Sequence, residues 1–146
     1  MPSVRELIAH KGGKVHSIPV TATVLDAAKV MNDARIGAVV VLEEGVMVGI
    51  LTERDILTRV VGPELDASRT LAPQVMTREV LTCTPETKVA EARQVMRERR
   101  VRHLPVVSEG ELLGMVSIGD LNLVETETLV ATIRHMEAYI AGDASL

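Results

Sequence analysis

Apolar positions along this chain change their period in a fixed order, and the order occurs twice. Val24, Ala27, Ala28 and Met31 stand at i, i+3, i+4 and i+7, one face of an α-helix, and Val89, Ala92 and Met96 repeat the stripe. A β-branched run follows each stripe, over residues 38–42 and 104–107, and a second apolar run returns over 46–51 and 111–116. Glu43-Glu44-Gly45 and Ser108-Glu109-Gly110 separate the runs, with glycine where a tight hairpin needs positive φ. A short extended piece precedes each stripe, at 15–18 and 80–83, ending near Pro19 or Pro85. Thr23 or Ala22 opens the first stripe helix, and Thr87 is the expected N-cap of the second. Thr52 and Ser117 occupy strand-to-helix junctions, as N-caps of further helices over 53–61 and 118–124. Each copy reads β-α-β-β-α, an α+β arrangement.

Sliding the chain on itself by 65 residues aligns 15–56 with 80–121 without a gap. Eleven of the 42 pairs are identical, against roughly three expected from average residue usage. The duplication is real. It divides the chain into a first copy with a short leading helix at 4–11 (1–62), a proline-bearing linker (63–74), a second copy (75–124) and a tail (125–146). In the tail, Leu129, Ile133, Met136 and Ile140 mark an amphipathic helix. Such a helix packs on its own domain or on a partner copy, since membrane-surface helices want a basic polar face.

Composition narrows the function. The chain has no Phe, no Trp and only Tyr139, so it lacks the rings on which nucleic-acid platforms stack bases. A net charge of −4 argues against a general grip on phosphate backbones. Cys83 is the only cysteine and cannot form an internal disulfide, and no Cys/His cluster has metal-site spacing. The N-terminal ten residues carry charges and lack a signal-peptide core. The longest apolar run, 36–42, is too short to cross a bilayer. The expectation is a cytoplasmic protein without membrane or nucleic-acid partners.

Three features together resemble the cystathionine-beta-synthase-type (CBS) domain family. They are the stripe helix, the segment Arg102-His103-Leu104-Pro105-Val106-Val107, and a closing motif of glycine, two apolar residues, Thr or Ser, two variable residues and Asp. That motif stands here as Gly49-Ile50-Leu51-Thr52-Glu53-Arg54-Asp55 and again as Gly114-Met115-Val116-Ser117-Ile118-Gly119-Asp120. The resemblance implies two CBS repeats packed sheet to sheet with pseudo-twofold symmetry. It also implies two clefts between them that hold AMP, ADP, ATP, a dinucleotide such as NAD(H), or S-adenosylmethionine, and a homodimer forming a flat disc.

The motif also makes chemical sense by itself. Helix-end amides at Thr52 and Ser117 attract a phosphate, and the hydroxyls add donors. Asp55 and Asp120, one turn on, are acceptor-only when ionised and suit the paired hydroxyls of a ribose. The competing reading makes each Asp a first-turn acid favouring the helix dipole. Gly49, Gly114 and Gly119 remove bulk and allow close approach. Arg102 and His103, entering a strand, are candidate phosphate donors, whereas Arg99 and Arg100 read as a solvated helix end. The first copy has Gly37-Ala38 in place of the basic pair, and Arg54 is its candidate substitute. Ile18, Pro19, Ile36, Cys83, Thr84, Val101 and Leu104 are candidates for an adenine slot, though most suit a core equally well.

No catalytic motif accompanies these residues. There is no nucleophile elbow, Walker loop, zinc-protease helix or dinucleotide glycine fingerprint, and Gly12-Gly13-Lys14 lacks phosphate-loop spacing. His16 and His103 occupy unrelated repeat positions and have no evident acid–base partner. The sequence therefore reads as a non-enzymatic ligand sensor acting on an unidentified effector protein, with a structural dimerisation adaptor, its sites empty, as the competing class.

Overall fold

The computed structural model describes residues 2–142. After a leading helix α1 (Val4–Lys11), the first repeat contains strand β1 (Ser17–Pro19), helix α2 (Val24–Ala34), the hairpin β2 (Ala38–Glu43) and β3 (Val46–Thr52), and α3 (Glu53–Ile56). Helix α3 runs on as a π-helical stretch, Leu57–Val61, in which the Gly62 amide reaches back to the Leu57 carbonyl. A single turn, α4 (Ala72–Val75), leads into the second repeat. That repeat has helix α5 (Val89–Arg99), the hairpin β4 (His103–Ser108) and β5 (Glu111–Ser117), and α6 (Ile118–Ile140).

The duplication extends to backbone detail. Glu44 and Gly45 have φ of 49° and 79°, and Glu109 and Gly110 have 52° and 77°. Two positive φ values in succession give the turn whose twist matches a tight hairpin. Both hairpins carry a bulge at the same place, between Val41 and Leu42 and between Val106 and Val107. Both stripe helices end on a left-handed arginine, Arg35 and Arg100. Strand β1 pairs parallel to β2. Its counterpart shrinks to one bridge, where Cys83 exchanges backbone hydrogen bonds with Pro105 and Val107.

Each repeat has its own aromatic-free core, and each core is completed by a segment that leads into the other repeat. Val4 and Leu7 of α1, which precede the first repeat, pack among Val89, Ala92, Met96, Leu104, Val116 and Leu121 of the second. Ala72, Val75 and Met76, which precede the second, pack among Val24, Ala27, Met31, Val39 and Leu51 of the first.

Three local expectations need correction. Helix α5 is capped not by Thr87 but at Lys88, without a side-chain bond. The reason is the exchange, because the Val89 amide is met by the Pro2 carbonyl of the incoming lead-in. The Thr87 hydroxyl accepts from the Thr84 amide instead. The linker is not irregular throughout, since its last residues begin α4 and Asp66 accepts from both the amide and the hydroxyl of Ser68. The two helices expected over 118–124 and in the tail are one unbroken helix of 23 residues. Residues 125–128 lack apolar periodicity yet include neither Gly nor Pro to stop it, and Thr128 and Thr132 bond back to carbonyls one turn earlier. No described helix is long and apolar enough to cross a membrane.

Candidate functional site

The Thr/Ser-to-Asp spacing produces a reciprocal cap at each strand-to-helix corner. Thr52 Oγ1 accepts from the Asp55 amide at 3.2 Å while Asp55 Oδ2 accepts from the Thr52 amide at 3.1 Å. Ser117 and Asp120 repeat the pair at 3.2 and 2.8 Å. This is the capping-box arrangement, with Asp in the place of the usual Glu. The first helical amides are also occupied, Glu53 by the Gly37 carbonyl and Ile118 by that of Arg102.

Neither carboxylate faces bulk water. Asp55 is 7% exposed, and the Thr77 hydroxyl lies 3.2 and 3.3 Å from its two oxygens. Arg59 Nη1 is 3.9 Å from Oδ1. Asp120 is half-buried, and Lys11 Nζ donates to Oδ2 at 2.6 Å and to the Met115 carbonyl at 2.8 Å. Lys11 ends α1 and Thr77 follows α4, so each aspartate is held by the lead-in of the opposite repeat. Asp120 Oδ1 accepts no hydrogen bond from the described residues.

Protein makes the close approach at two of the three glycines. A Cβ on Gly49 would overlap Met76 Sδ and lie 2.9 Å from the Thr77 carbonyl oxygen. On Gly114 it would lie 2.7 Å from Ile8 Cδ1. On Gly119 it would meet only Ser117 Oγ, at an ordinary 3.6 Å. Gly49→Ala should therefore destabilise the fold more than Gly114→Ala, by about 1–3 kcal/mol against under 1 kcal/mol. A backbone oxygen must move in the first case and only the tip of an isoleucine in the second. Urea unfolding of the two variants checks the order, and equal midpoints would refute it.

Charge collects at one place. A cleft of about 310 Å³ is lined by Arg54, Arg93, Met96, Arg97, Arg100, Val101, Arg102 and Ile118. Arg54 comes from the first repeat and donates to the Arg100 carbonyl at 3.2 Å; the other arginines belong to the second. Arg93 donates to Asn122 Oδ1 at 2.9 Å. Its buried Nη2 lies 3.0 Å from Glu125 Oε2 but without hydrogen-bond geometry. Arg93, Arg97 and Arg100 share a helix face, at i, i+4 and i+7. That spacing is the sequence signal for Arg93 and Arg97, and it runs beside the apolar stripe of the same helix. The first-repeat counterparts of Arg93, Arg97 and Arg102 are Ala28, Asn32 and Gly37, and that of Arg54 is Gly119. The two sides of the pseudo-dyad differ sharply in charge.

His103 lies between the repeats. Burial holds its imidazole below its ordinary pKa, opposed chiefly by Glu53 of the first repeat and also by Asp120, while Lys11 and Arg102 assist. It is neutral at pH 7, offering one donor and one acceptor. Of the candidates for an adenine slot, Val101 lines the arginine cleft. Ile18 is buried in the first core, and Cys83 and Leu104 are buried in the second. Ile36 is half-buried against the first core, while Pro19 and Thr84 are exposed. Burial pushes the Cys83 thiol up to about 11, which makes it inert as a nucleophile.

Comparison with known proteins identifies the repeated unit. The CBS domain model matches residues 4–62 and again 72–137. The mitochondrial CBS domain-containing protein CBSX3 of Arabidopsis thaliana is 38% identical over 125 residues, covering 82% of this chain. This chain spans 61% of that relative's length. The crystal structure of the CBS domain protein NE2398 matches with a TM-score of 0.82 at 33% identity, over 86% of this chain and 98% of that one. PAE2072 of Pyrobaculum aerophilum, solved in complex with AMP, matches with a TM-score of 0.73 at 31% identity, over 82% and 89%.

Proposed function

This chain belongs to the CBS domain family as a tandem pair of its repeats, and on that premise we propose that it is a non-enzymatic regulatory module of the cytoplasm that binds an adenine nucleotide between them. The observation that carries this reading is the arginine cleft. Five arginines from both repeats line one hollow beside Val101 and Ile118, and Arg93 among them is already held by Asn122 and Glu125. Guanidinium forks suit phosphate oxygens; His103, next to Arg102 in sequence but outside the lining of the cleft, is a further candidate donor. Asp120 is the better ribose acceptor, since its Oδ1 is unclaimed and it is more exposed than Asp55. The ligand is AMP, ADP, ATP or NAD(H), with the phosphates on the arginine side. It fastens Arg54 of one repeat to Arg102 of the other, and so favours one packing of the repeats, in a homodimer that an effector protein reads. The shift equals the difference in affinity between the two packings.

Thermal unfolding with AMP, ADP, ATP, NAD(H) and S-adenosylmethionine tests the reading. A phosphate-bearing ligand at one hundred times its Kd should stabilise the protein by about 2.7 kcal/mol. Arg54→Ala and Arg102→Ala should each weaken that ligand, and Asp120→Asn should weaken it while keeping an acceptor for the Ser117 amide. A second reading, a dimerisation adaptor, is favoured by one observation: both aspartates already have internal partners. No shift with any of the five compounds would leave the adaptor standing.

A further inference from the structure

Lys11 stands where the proposed nucleotide needs an acceptor. Its Nζ donates to Asp120 Oδ2 at 2.6 Å and to the Met115 carbonyl at 2.8 Å. The Ser117 amide donates to the same Oδ2 at 2.8 Å. A carboxylate oxygen has two lone-pair sites, so Oδ2 is full and Oδ1 alone is open. A ribose has two adjacent hydroxyls, and one carboxylate accepts both in parallel only through both of its oxygens. The second hydroxyl therefore meets Lys11. The ion pair is built to exchange, because the lysine side chain is 38% exposed and that of the aspartate 24%, and pairs open to water hold weakly. Lys11 is the last residue of α1, and Gly12 follows it with open space around its Cα. At Asp55 the corresponding partner is the uncharged Thr77 hydroxyl, in a nearly closed environment. The exchangeable cation belongs to the second-repeat site.

We propose that Lys11 is an internal competitor for the sugar. A nucleotide with both ribose hydroxyls displaces its ammonium from Asp120, whereas one with a single hydroxyl binds Oδ1 beside it. This rests on the nucleotide reading above, with Asp120 as the ribose acceptor. Two consequences follow from the competition. The site prefers ribose over deoxyribose less than an unclaimed carboxylate would, because the second hydroxyl must first break the ion pair. Binding also frees the last side chain of α1, while Val4 and Leu7 stay in the second core. The change is confined to the final turn of that helix and the glycines after it.

Calorimetric titration of AMP, 2′-deoxy-AMP and 3′-deoxy-AMP into the parent and Lys11→Met tests the competition. All three carry the same phosphate, so the preference for AMP over its deoxy forms cancels any pull of the lysine on that phosphate. Lys11→Met should raise this preference about fivefold, the most that a half-exposed ion pair is worth. Lys11→Arg, which keeps the pair, should return the parent value. Lys11 is exposed at a helix end, so both variants should keep the parent circular dichroism. On the parent itself, AMP should speed acylation of the Lys11 amine relative to Lys14 and Lys29, read by mass spectrometry. AMP bound with an unchanged preference in Lys11→Met, or with Lys11 protected from acylation, would overturn this proposal and leave the nucleotide site standing. AMP bound by neither protein would overturn the nucleotide reading and the competition together.

Discussion

Replacing Leu104 by alanine should lower the unfolding free energy by about 3–5 kcal/mol while leaving the nucleotide response of the folded protein in place. Leu104 has no exposed surface and sits among Val4, Leu7, Cys83, Val89, Met96 and Val116. Truncating a buried leucine costs the transfer of the lost atoms plus the cavity left behind. No aromatic ring is near to collapse into that cavity, and the branched neighbours have restricted rotamers. Urea unfolding with an unchanged slope measures the loss. A variant that unfolds like the parent but no longer binds nucleotide would put Leu104 on the ligand instead of in the core.

Asp55→Ala should cost about 3 kcal/mol and Asp120→Ala only about 1 kcal/mol, although they close the same motif. Losing a capping side chain costs about 0.5–2 kcal/mol, and each buried donor left without an acceptor adds about 1–3 kcal/mol. Asp55 serves both the Thr52 amide and the Thr77 hydroxyl in a nearly closed environment. Asp120 serves the Ser117 amide and Lys11, and Lys11 is exposed enough to turn to water. Chemical denaturation of the two variants decides it, and equal losses would contradict the difference in burial.

The features legible in the sequence are those encoded over a few residues. The stripe helices, the Glu-Gly hairpins and the Thr52 and Ser117 corners follow from local periodicity and turn chemistry, and repetition doubled each signal. The remaining features depend on residues far apart in sequence. Nothing near Val4 or Ala72 says that each completes the core of the opposite repeat. Nothing near Lys11 or Thr77 announces an aspartate as partner. The spacing that suits Asp55 and Asp120 to a ligand permits the reciprocal cap equally, and only the folded corners show that cap formed. Arg93 and Arg97 were hidden because their meaning depends on Arg54, which another repeat supplies.

The exchange of lead-in segments has a consequence for how the molecule comes apart. Cutting the chain in the loop after Gly62 would not yield two self-sufficient halves. The front piece would carry Val4 and Leu7, which it cannot bury, and would lack Ala72, Val75 and Met76, which its interior needs. Duplication thus produced a single cooperative folding unit in which neither half melts without opening the other.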